Sequence, residues 1–192
     1  MTNTAGKYKS GPKAYLAGPD VFFPNASQIG SEKKRICSNY GIVGLFPLDN
    51  KISAGHVQDK DLANRIFRAN CDAMNEAGLL IANIMPFRGA SADVGTAFEI
   101  GYMYAQGKPV FAYGSDDRTY FKRVLQSDAK AREDERSDAQ GMRIEDFGLS
   151  DNLMLVCAIR RYGVEVVPSS HQWDDLTAFE ECVRLAADRL GT

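Results

Sequence analysis

The sequence predicts an α/β protein: a single domain with a doubly wound, flavodoxin- or Rossmann-like, mostly parallel sheet flanked by helices. Three observations favour this class. Short apolar runs alternate with helical segments along the chain. One of these runs, at 78–85, is apolar except for Asn83, as expected of a strand that is covered on both faces. The length of 192 residues suits one domain with a sizeable core, and no internal repeat is visible.

The first half of the chain contains the clearest alternation. In order, the predicted segments are a strand at 13–18, a helix at 25–40, a strand at 42–47, a helix at 60–76, a strand at 78–85, a helix at 94–106 and a strand at 109–113. Gly18 and Pro19 stop the first strand, and Gly107 ends the helix before the fourth. In the helix at 60–76 apolar residues recur at helical spacing, namely Leu62, Ile66, Ala69 and Ala73.

The N-terminus and the second half are less regular. Residues 1–12 are polar and predict a flexible leader without the apolar region of a secretory signal, so that the domain spans 13–192. The charge-rich stretch at 116–143 lacks apolar periodicity and predicts a solvated helix with a mobile loop. The remaining segments are a helix at 151–162, a short strand at 164–167 and an amphipathic helix at 174–190.

Composition excludes several kinds of function. A formal net charge of −2 provides no field that would recruit nucleic acid or an anionic membrane, and no apolar run approaches the ~20 residues of a membrane span. The cysteines form no CxxC pair and are interpreted as buried, reduced thiols of a cytoplasmic protein: Cys37, Cys71, Cys157 and Cys182. With only His56 and His171 beside them, neither a metal site nor a histidine-based triad is expected.

Ligands of doubly wound sheets bind at the carboxyl ends of the strands. Here those ends are the loops at 18–20, 47–50, 86–93 and 114–117. Neither GxGxxG nor GxxxxGK[ST] occurs, so a dinucleotide or P-loop phosphate site lacks its usual motif. Aromatic residues in or next to these loops offer a surface for a flat ligand: Tyr15, Phe22, Phe23, Phe46 and Phe87.

The helix at 94–106 is apolar or small nearly all round, and Glu99 is its one charge. Such a helix is expected within the fold or at an interface, where a carboxylate is costly unless it is paired or used. Asp93 at the start of this helix suits a capping role, and Asp72 adds a third acid on a largely apolar helix face. Paired carboxylates with separate roles are what cleavage of a glycosidic bond uses.

Several segments together resemble the nucleoside 2-deoxyribosyltransferases. They are KAYLAGPDVF at 13–22, Asp72, PFRG at 86–89, ADVGTAFEIG at 92–101, GKPV at 107–110 and GLSDNLML at 148–155. The resemblance covers nearly all of the chain from Lys13 to the terminal helix. The DxGTxxExG core is fairly specific, and the complete set in this order is highly specific.

The resemblance implies transfer of a 2-deoxyribosyl group between nucleobases by a retaining double displacement, without a cofactor or a metal. Glu99 would be the nucleophile that forms a covalent ester, Tyr15 would hydrogen-bond it, and Asp72 would bind and protonate the departing base. Asp93 would bind the sugar hydroxyls, and Asn152 would reach into a neighbouring subunit's pocket. The partners implied are 2′-deoxyribonucleosides, free nucleobases and further copies of the chain in a dimer or hexamer. The other predicted substrate contacts are Gly18, Phe22, Asp49, Arg88 and Met154.

Two departures from the family pattern and two rival functions stay open. Lys51 stands where some members carry a base-reading glutamine, which leaves the base preference open, and the stretch at 116–143 is long for the family. An N-glycoside hydrolase of nucleosides or nucleoside 5′-monophosphates would share the acidic helix, but the first loop offers Asp20 instead of a phosphate cradle, with Arg88 as the obvious phosphate ligand. A non-catalytic nucleotide-sensing domain would not need the three acids together.

Overall fold

The computed structural model describes residues 11–50, 52, 60–115, 118–128, 130–170 and 172–191. Most of the predicted leader, Lys51 and both histidines lie outside these residues. In the described part of the chain no helix combines the length and the apolar character that crossing a membrane requires.

Five parallel strands form one sheet in the order β2-β1-β3-β4-β5. The strands are β1 (Lys13–Ala17), β2 (Val43–Leu45), β3 (Leu79–Asn83), β4 (Val110–Ser115) and β5 (Val167–Pro168). This order is that of doubly wound, flavodoxin-like sheets, and it confirms the predicted fold class. The chain reverses its direction of travel across the sheet between β1 and β3, so the ligand crevice is expected above the carboxyl ends of these two strands.

Helices cover both faces of the sheet. They are α1 (Ala26–Asn39), α2 (Lys60–Glu76), α3 (Val94–Ala105), α4 (Tyr120–Ser127), α5 (Leu153–Arg160) and α6 (Thr177–Leu190). Because side chains alternate along a strand, Ala14 and Leu16 pack in the core under α1 and α6. Tyr15 and Ala17 point into the opposite core, which α2, α3 and α5 close. The alternation thus directs Tyr15 toward the helix that carries Glu99.

Two tight turns shape the binding edge. A 3₁₀ turn at Pro19–Phe22 follows β1, and a second at Pro47–Asp49 follows β2. Gly18, with a φ of 151°, begins the first turn. A Cβ at this position would come within 2.4 Å of Asp20 Oδ2 and 2.7 Å of Asn83 Cβ, so glycine is required for the close approach of the two loops.

Some local predictions were wrong. The last strand is Val167–Pro168 rather than 164–167, although Val166 is buried. In α2 only Leu62 and Met74 are buried, and Ile66 is 43% exposed. Cys157 is exposed and Cys71 is half-buried, whereas Cys37 and Cys182 are buried as expected. The errors in α2 and at the two cysteines share a cause, because the apolar character of a residue does not by itself show that a partner covers it.

The described part of the stretch at 116–143 contains a helix, with buried residues that its composition did not suggest. Its helix α4 buries Phe121 and Arg123. Beyond α4, Ser137 is buried and forms β-bridges with Arg132 and Arg143. The described part of this stretch therefore packs onto the domain as well as decorating its surface.

Candidate active site

The centre of the site is a hydrogen bond between β1 and α3. The Tyr15 hydroxyl donates to Glu99 Oε1 at 2.7 Å. Tyr15 has no exposed surface, and Glu99 is partly buried at the edge of the same core. A carboxylate held by a buried, neutral phenol has a fixed orientation, which is what a nucleophile or a charge-stabilising group needs.

Burial raises the pKa of Glu99 to about 7. The hydrogen bond from Tyr15 favours the carboxylate and lowers this pKa, while the negative charge of Asp93 raises it. The pKa of Tyr15 is raised far above its ordinary value, first by burial and then by the charge of Glu99, so the phenol keeps its proton. Glu99 is therefore a carboxyl group that changes its charge near neutral pH, as many catalytic acids and bases do.

Asp93 caps α3, six residues before Glu99. Its Oδ2 accepts from the backbone N–H groups of Gly95 at 3.0 Å and Thr96 at 3.2 Å. The capping role that the sequence suggested for Asp93 is thus present. Both bonds use one oxygen, so within the described part of the chain Oδ1 remains for a ligand.

The surroundings of Glu99 differ from the expectation of a helix buried within the fold. Only Thr96, Ile100 and Met103 of α3 are buried. Val94 is 84% exposed and Phe98 is 49% exposed. The interface interpretation of this helix stays a prediction, since the protomer alone leaves much of its apolar surface in water.

An aromatic cluster (Phe22, Phe23, Phe87 and Trp173) lies at the carboxyl ends of β1 and β3. The rings of Phe22 and Phe87 stack with centroids 5.5 Å apart and planes 11° apart. Trp173 packs edge-on against Phe23 and Phe87. The guanidinium of Arg88 lies 4.7 Å from the centroid of Phe87 and 5.1 Å from that of Phe22. This cluster is a flat, partly exposed surface on which a planar ligand can stack.

Two other predicted residues, Asp72 and Asp49, lie in different settings. Asp72 is exposed on α2, next to Cys71, whose pKa burial raises and the charges of Asp72 and Glu99 raise further. The charge of Glu99 thus reaches Cys71, whereas no contact joins Asp72 to Glu99 among the described residues. Asp49 accepts from Phe46 N at 3.0 Å and pairs with Lys34 of α1.

Asn152 and Met154 begin α5. Asn152 Oδ1 accepts from Met154 N at 3.0 Å, and its Nδ2 donates to Glu145 at 2.8 Å. Met154 is 72% exposed. Asn152 is thus a helix cap in the protomer, while Met154 projects from the start of the helix into solvent.

A buried ion pair connects the start of α5 with the loop before α3. Asp151 pairs with Arg123 at 3.2 Å and accepts from Ala92 N at 3.1 Å and Asn152 N at 2.7 Å. Arg123 also donates to the carbonyl of Ala90. The sequence prediction missed this pair, although Asp151 lies inside the GLSDN segment. Its effect is to fix Asn152 relative to the N-terminus of α3.

A second buried cluster was also missed. Lys33 is 1% exposed; its Nζ lies 2.9 Å from Asp20 Oδ1 and donates to the Tyr113 hydroxyl at 2.7 Å. The available signal was spacing, because Lys33 follows Ile29 by four residues and precedes Ile36 by three, which places it on the buried face of α1. Among the described residues, no group of three or more His, Cys, Asp and Glu side chains could hold a metal ion.

The chain is similar in sequence and in structure to known proteins. A family model described as nucleoside 2-deoxyribosyltransferase matches residues 14–154. The chain belongs to the nucleoside 2-deoxyribosyltransferase family. An uncharacterised protein of Schizosaccharomyces pombe is 32% identical over 166 residues, which cover 79% of each chain. Structurally, a 2-deoxyribosyltransferase from Leishmania mexicana superposes with a TM-score of 0.63 at 30% identity, covering 90% of this chain and 97% of the other.

A conserved protein from Enterococcus faecalis has the same fold, with a TM-score of 0.55, 21% identity and coverage of 92% and 99%. Family membership and the Leishmania structure indicate a nucleoside-processing enzyme of the deoxyribosyltransferase kind. Tyr15 and Glu99 both lie within the residues that the family model matches.

Proposed function

We propose that the protein transfers a 2-deoxyribosyl group between nucleobases by a retaining double displacement through a covalent ester on Glu99. The observation that carries this proposal is the bond from the buried Tyr15 hydroxyl to Glu99, in a chain of this family. Fixing Oε1 leaves Oε2 to attack the anomeric carbon. A base-stacking surface, the aromatic cluster, lies at the carboxyl edge of the same sheet.

In the first step, an Oε2–C1′ bond forms while the C1′–N bond to the base breaks, and Asp72 gives a proton to the departing nitrogen. The negative charge of Glu99 stabilises the oxocarbenium-like transition state. In the second step the nitrogen of another base attacks C1′, the ester bond breaks, and the proton of the incoming base passes to Asp72. Two inversions at C1′ give overall retention.

The remaining roles follow from placement. Asp93 Oδ1 is assigned to the sugar hydroxyls, since Oδ2 caps α3. The base is assigned to the surface of Phe22, with Gly18, Asp49 and Arg88 around it. Asn152 and Met154 are assigned to a neighbouring subunit's pocket in a homo-oligomer, a role that the exposure of Met154 and of the α3 residues supports. Free thiols fit a reducing compartment such as the cytoplasm.

The proposal is tested by incubating the protein with deoxyinosine and free adenine in phosphate-free buffer. We expect deoxyadenosine to form, because the ester on Glu99 waits for a second base in a site lined by apolar groups. Liquid chromatography follows the products. Release of deoxyribose without formation of deoxyadenosine would mean that the enzyme is a hydrolase. Unchanged deoxyinosine, with neither product formed, would mean a non-catalytic domain. Mass spectrometry of a quenched reaction should find one deoxyribosyl group on the peptide that contains Glu99.

The pH dependence of exchange should follow the charge of Glu99. We expect the rise of kcat/KM on the acidic side of its pH profile to have a midpoint of about 7, because only the carboxylate of Glu99 attacks. One pH unit below this midpoint about a tenth of the enzyme is in the active form. A midpoint near the ordinary glutamate value would contradict the assignment.

Two variants should move this midpoint in opposite directions. Tyr15→Phe removes the hydrogen bond that favours the carboxylate, so the midpoint should rise. Asp93→Asn removes a neighbouring negative charge, so the midpoint should fall, and asparagine still caps α3. The measurement is the pH profile of kcat/KM for each variant beside the unmodified protein.

A further inference from the structure

The turn that carries Phe22 is anchored by a buried charge. Asp20 lies in the same 3₁₀ turn as Phe22, and its side chain is almost fully buried, whereas Phe22 is 54% exposed. Lys33 of α1 forms an ion pair with Asp20 in the core, where the side chains of Lys33 and Asp20 are 1% and 2% exposed. The turn therefore has one face fixed in the core and one face presented to solvent.

The buried pair of Lys33 and Asp20 also contacts the ends of two other strands, β3 and β4. Lys33 donates to the Tyr113 hydroxyl at the end of β4, and its ammonium lies 5.4 Å from the ring centroid of Tyr113. Asn83 at the end of β3 donates to both oxygens of Asp20 at 3.4 Å and accepts from Met85 N at 3.1 Å. The Lys33 cluster (Lys33, Asp20, Asn83 and Tyr113) thus joins the carboxyl ends of β1, β3 and β4.

Stability alone does not account for such a cluster. Burial lowers the pKa of Lys33, against the opposing effect of Asp20, so the protein bears a cost for the ammonium. Buried ion pairs can often be replaced by apolar residues of similar volume without loss of stability. What an apolar pair could not provide is direction, because a carboxylate bound by an ammonium and an amide has one orientation.

The two loops joined by this cluster carry the two stacked rings. Phe22 is two residues after Asp20, and Phe87 is four residues after Asn83. Their near-parallel packing, with planes 11° apart, requires that the β1 and β3 loops keep a fixed spacing. We infer that Lys33 is a positioning residue: by holding Asp20 beneath the turn it keeps Phe22 stacked against Phe87, and so presents the surface that receives the nucleobase. That this surface receives the nucleobase rests on the proposed function, whereas the positioning of the Phe22 ring by Lys33 does not.

The test uses the paired variant Lys33→Met/Asp20→Asn, which removes both charges together. The single Lys33→Met change would leave Asp20 buried and unpaired and would disturb folding. Arg35→Met is the matched control, because Arg35 is on the same helix, exposed, and paired with an exposed Glu32. The sequence contains one tryptophan, Trp173, which packs on Phe23 and Phe87, so its fluorescence reports on the aromatic cluster without any substrate.

In the paired variant we expect a shift of Trp173 emission and greater quenching by acrylamide at temperatures well below unfolding. We also expect KM for the deoxynucleoside to rise about tenfold, the size of one lost base–aromatic stack. The kcat should stay within about threefold, because neither Tyr15 nor Glu99 bonds to the cluster. Arg35→Met should change none of these values.

A double-mutant comparison decides whether Lys33 acts through Phe22. Adding Phe22→Ala to the paired variant should raise KM no further than Phe22→Ala does alone. Independent, additive increases in KM, or unchanged Trp173 emission in the paired variant, would overturn the inference. Absence of any turnover by the unmodified protein would instead overturn the proposed function, while the Trp173 measurement would still decide the positioning role.

Discussion

Replacement of Glu99 by alanine should lower the rate of base exchange by a factor on the order of 10⁴ or more. The reason is that, within the described ranges, no other carboxylate accepts a hydrogen bond from Tyr15 at the edge of the apolar core between β1 and α3. The protein should remain folded. Burial raises the pKa of Glu99 to about 7, so the ionised carboxylate destabilises the folded protein at neutral pH. This destabilisation grows as the pH rises from the ordinary pKa of a glutamate toward about 7, and the alanine variant lacks it.

The measurement is formation of deoxyadenosine from deoxyinosine and adenine, together with thermal unfolding at pH 8. Glu133→Ala is the matched control, since Glu133 is exposed in the described loop after α4. Glu99→Gln is a second variant that leaves an acceptor for Tyr15 and should be equally inactive. Exchange above a trace in either Glu99 variant would remove Glu99 from the mechanism.

Loss of Arg123 should have the largest effect on stability. In the ion pair, the side chains of Arg123 and Asp151 are 4% and 1% exposed. Arg123→Met leaves Asp151 buried without its cation and also removes the hydrogen-bond donor to the Ala90 carbonyl. We expect the free energy of unfolding to fall by about 3–5 kcal/mol. Equilibrium unfolding in urea measures this difference.

The control for this prediction is Arg132→Met. Arg132 pairs with Glu135, and both side chains are 52% exposed, so solvent screens their attraction and the midpoint of unfolding should hardly move. Arg123→Lys keeps the charge but not the planar set of donors, so its free energy of unfolding should lie between those of Arg123→Met and Arg132→Met. If Arg123→Met unfolded at the same urea concentration as the control, the pair would not be what holds the loop before α3.

The sequence predicted the features that depend on periodicity. Strand–helix alternation identified the doubly wound fold, and helix α2 has the predicted bounds, 60–76. The last strand was misplaced because it has only two residues, too few for a pattern to define. For α3 the pattern could not decide between a helix covered by its own chain and one that awaits a partner, because both need the same apolar residues.

The site was predicted in part. An acid alone in an apolar helix pointed to Glu99, whereas its bond to Tyr15 came from the family resemblance, since residues 84 positions apart leave no local signal. Lys33 and Arg123 were missed because charged residues are usually solvated, and only their partners, distant in the chain, show that they are buried. Trp173 was missed because its partners, Phe23 and Phe87, are distant from it in the sequence.

Asp151 also limits how this site can change during evolution. Its carboxylate is bonded at once to Ala92, just before the cap of α3, and to Asn152, the cap of α5. An insertion or deletion in either segment alone would pull the shared carboxylate away from one partner. We therefore expect the lengths of these two segments to change only together, and new substrate preferences to arise by replacing side chains such as Phe22 or Arg88 rather than by resizing the loops.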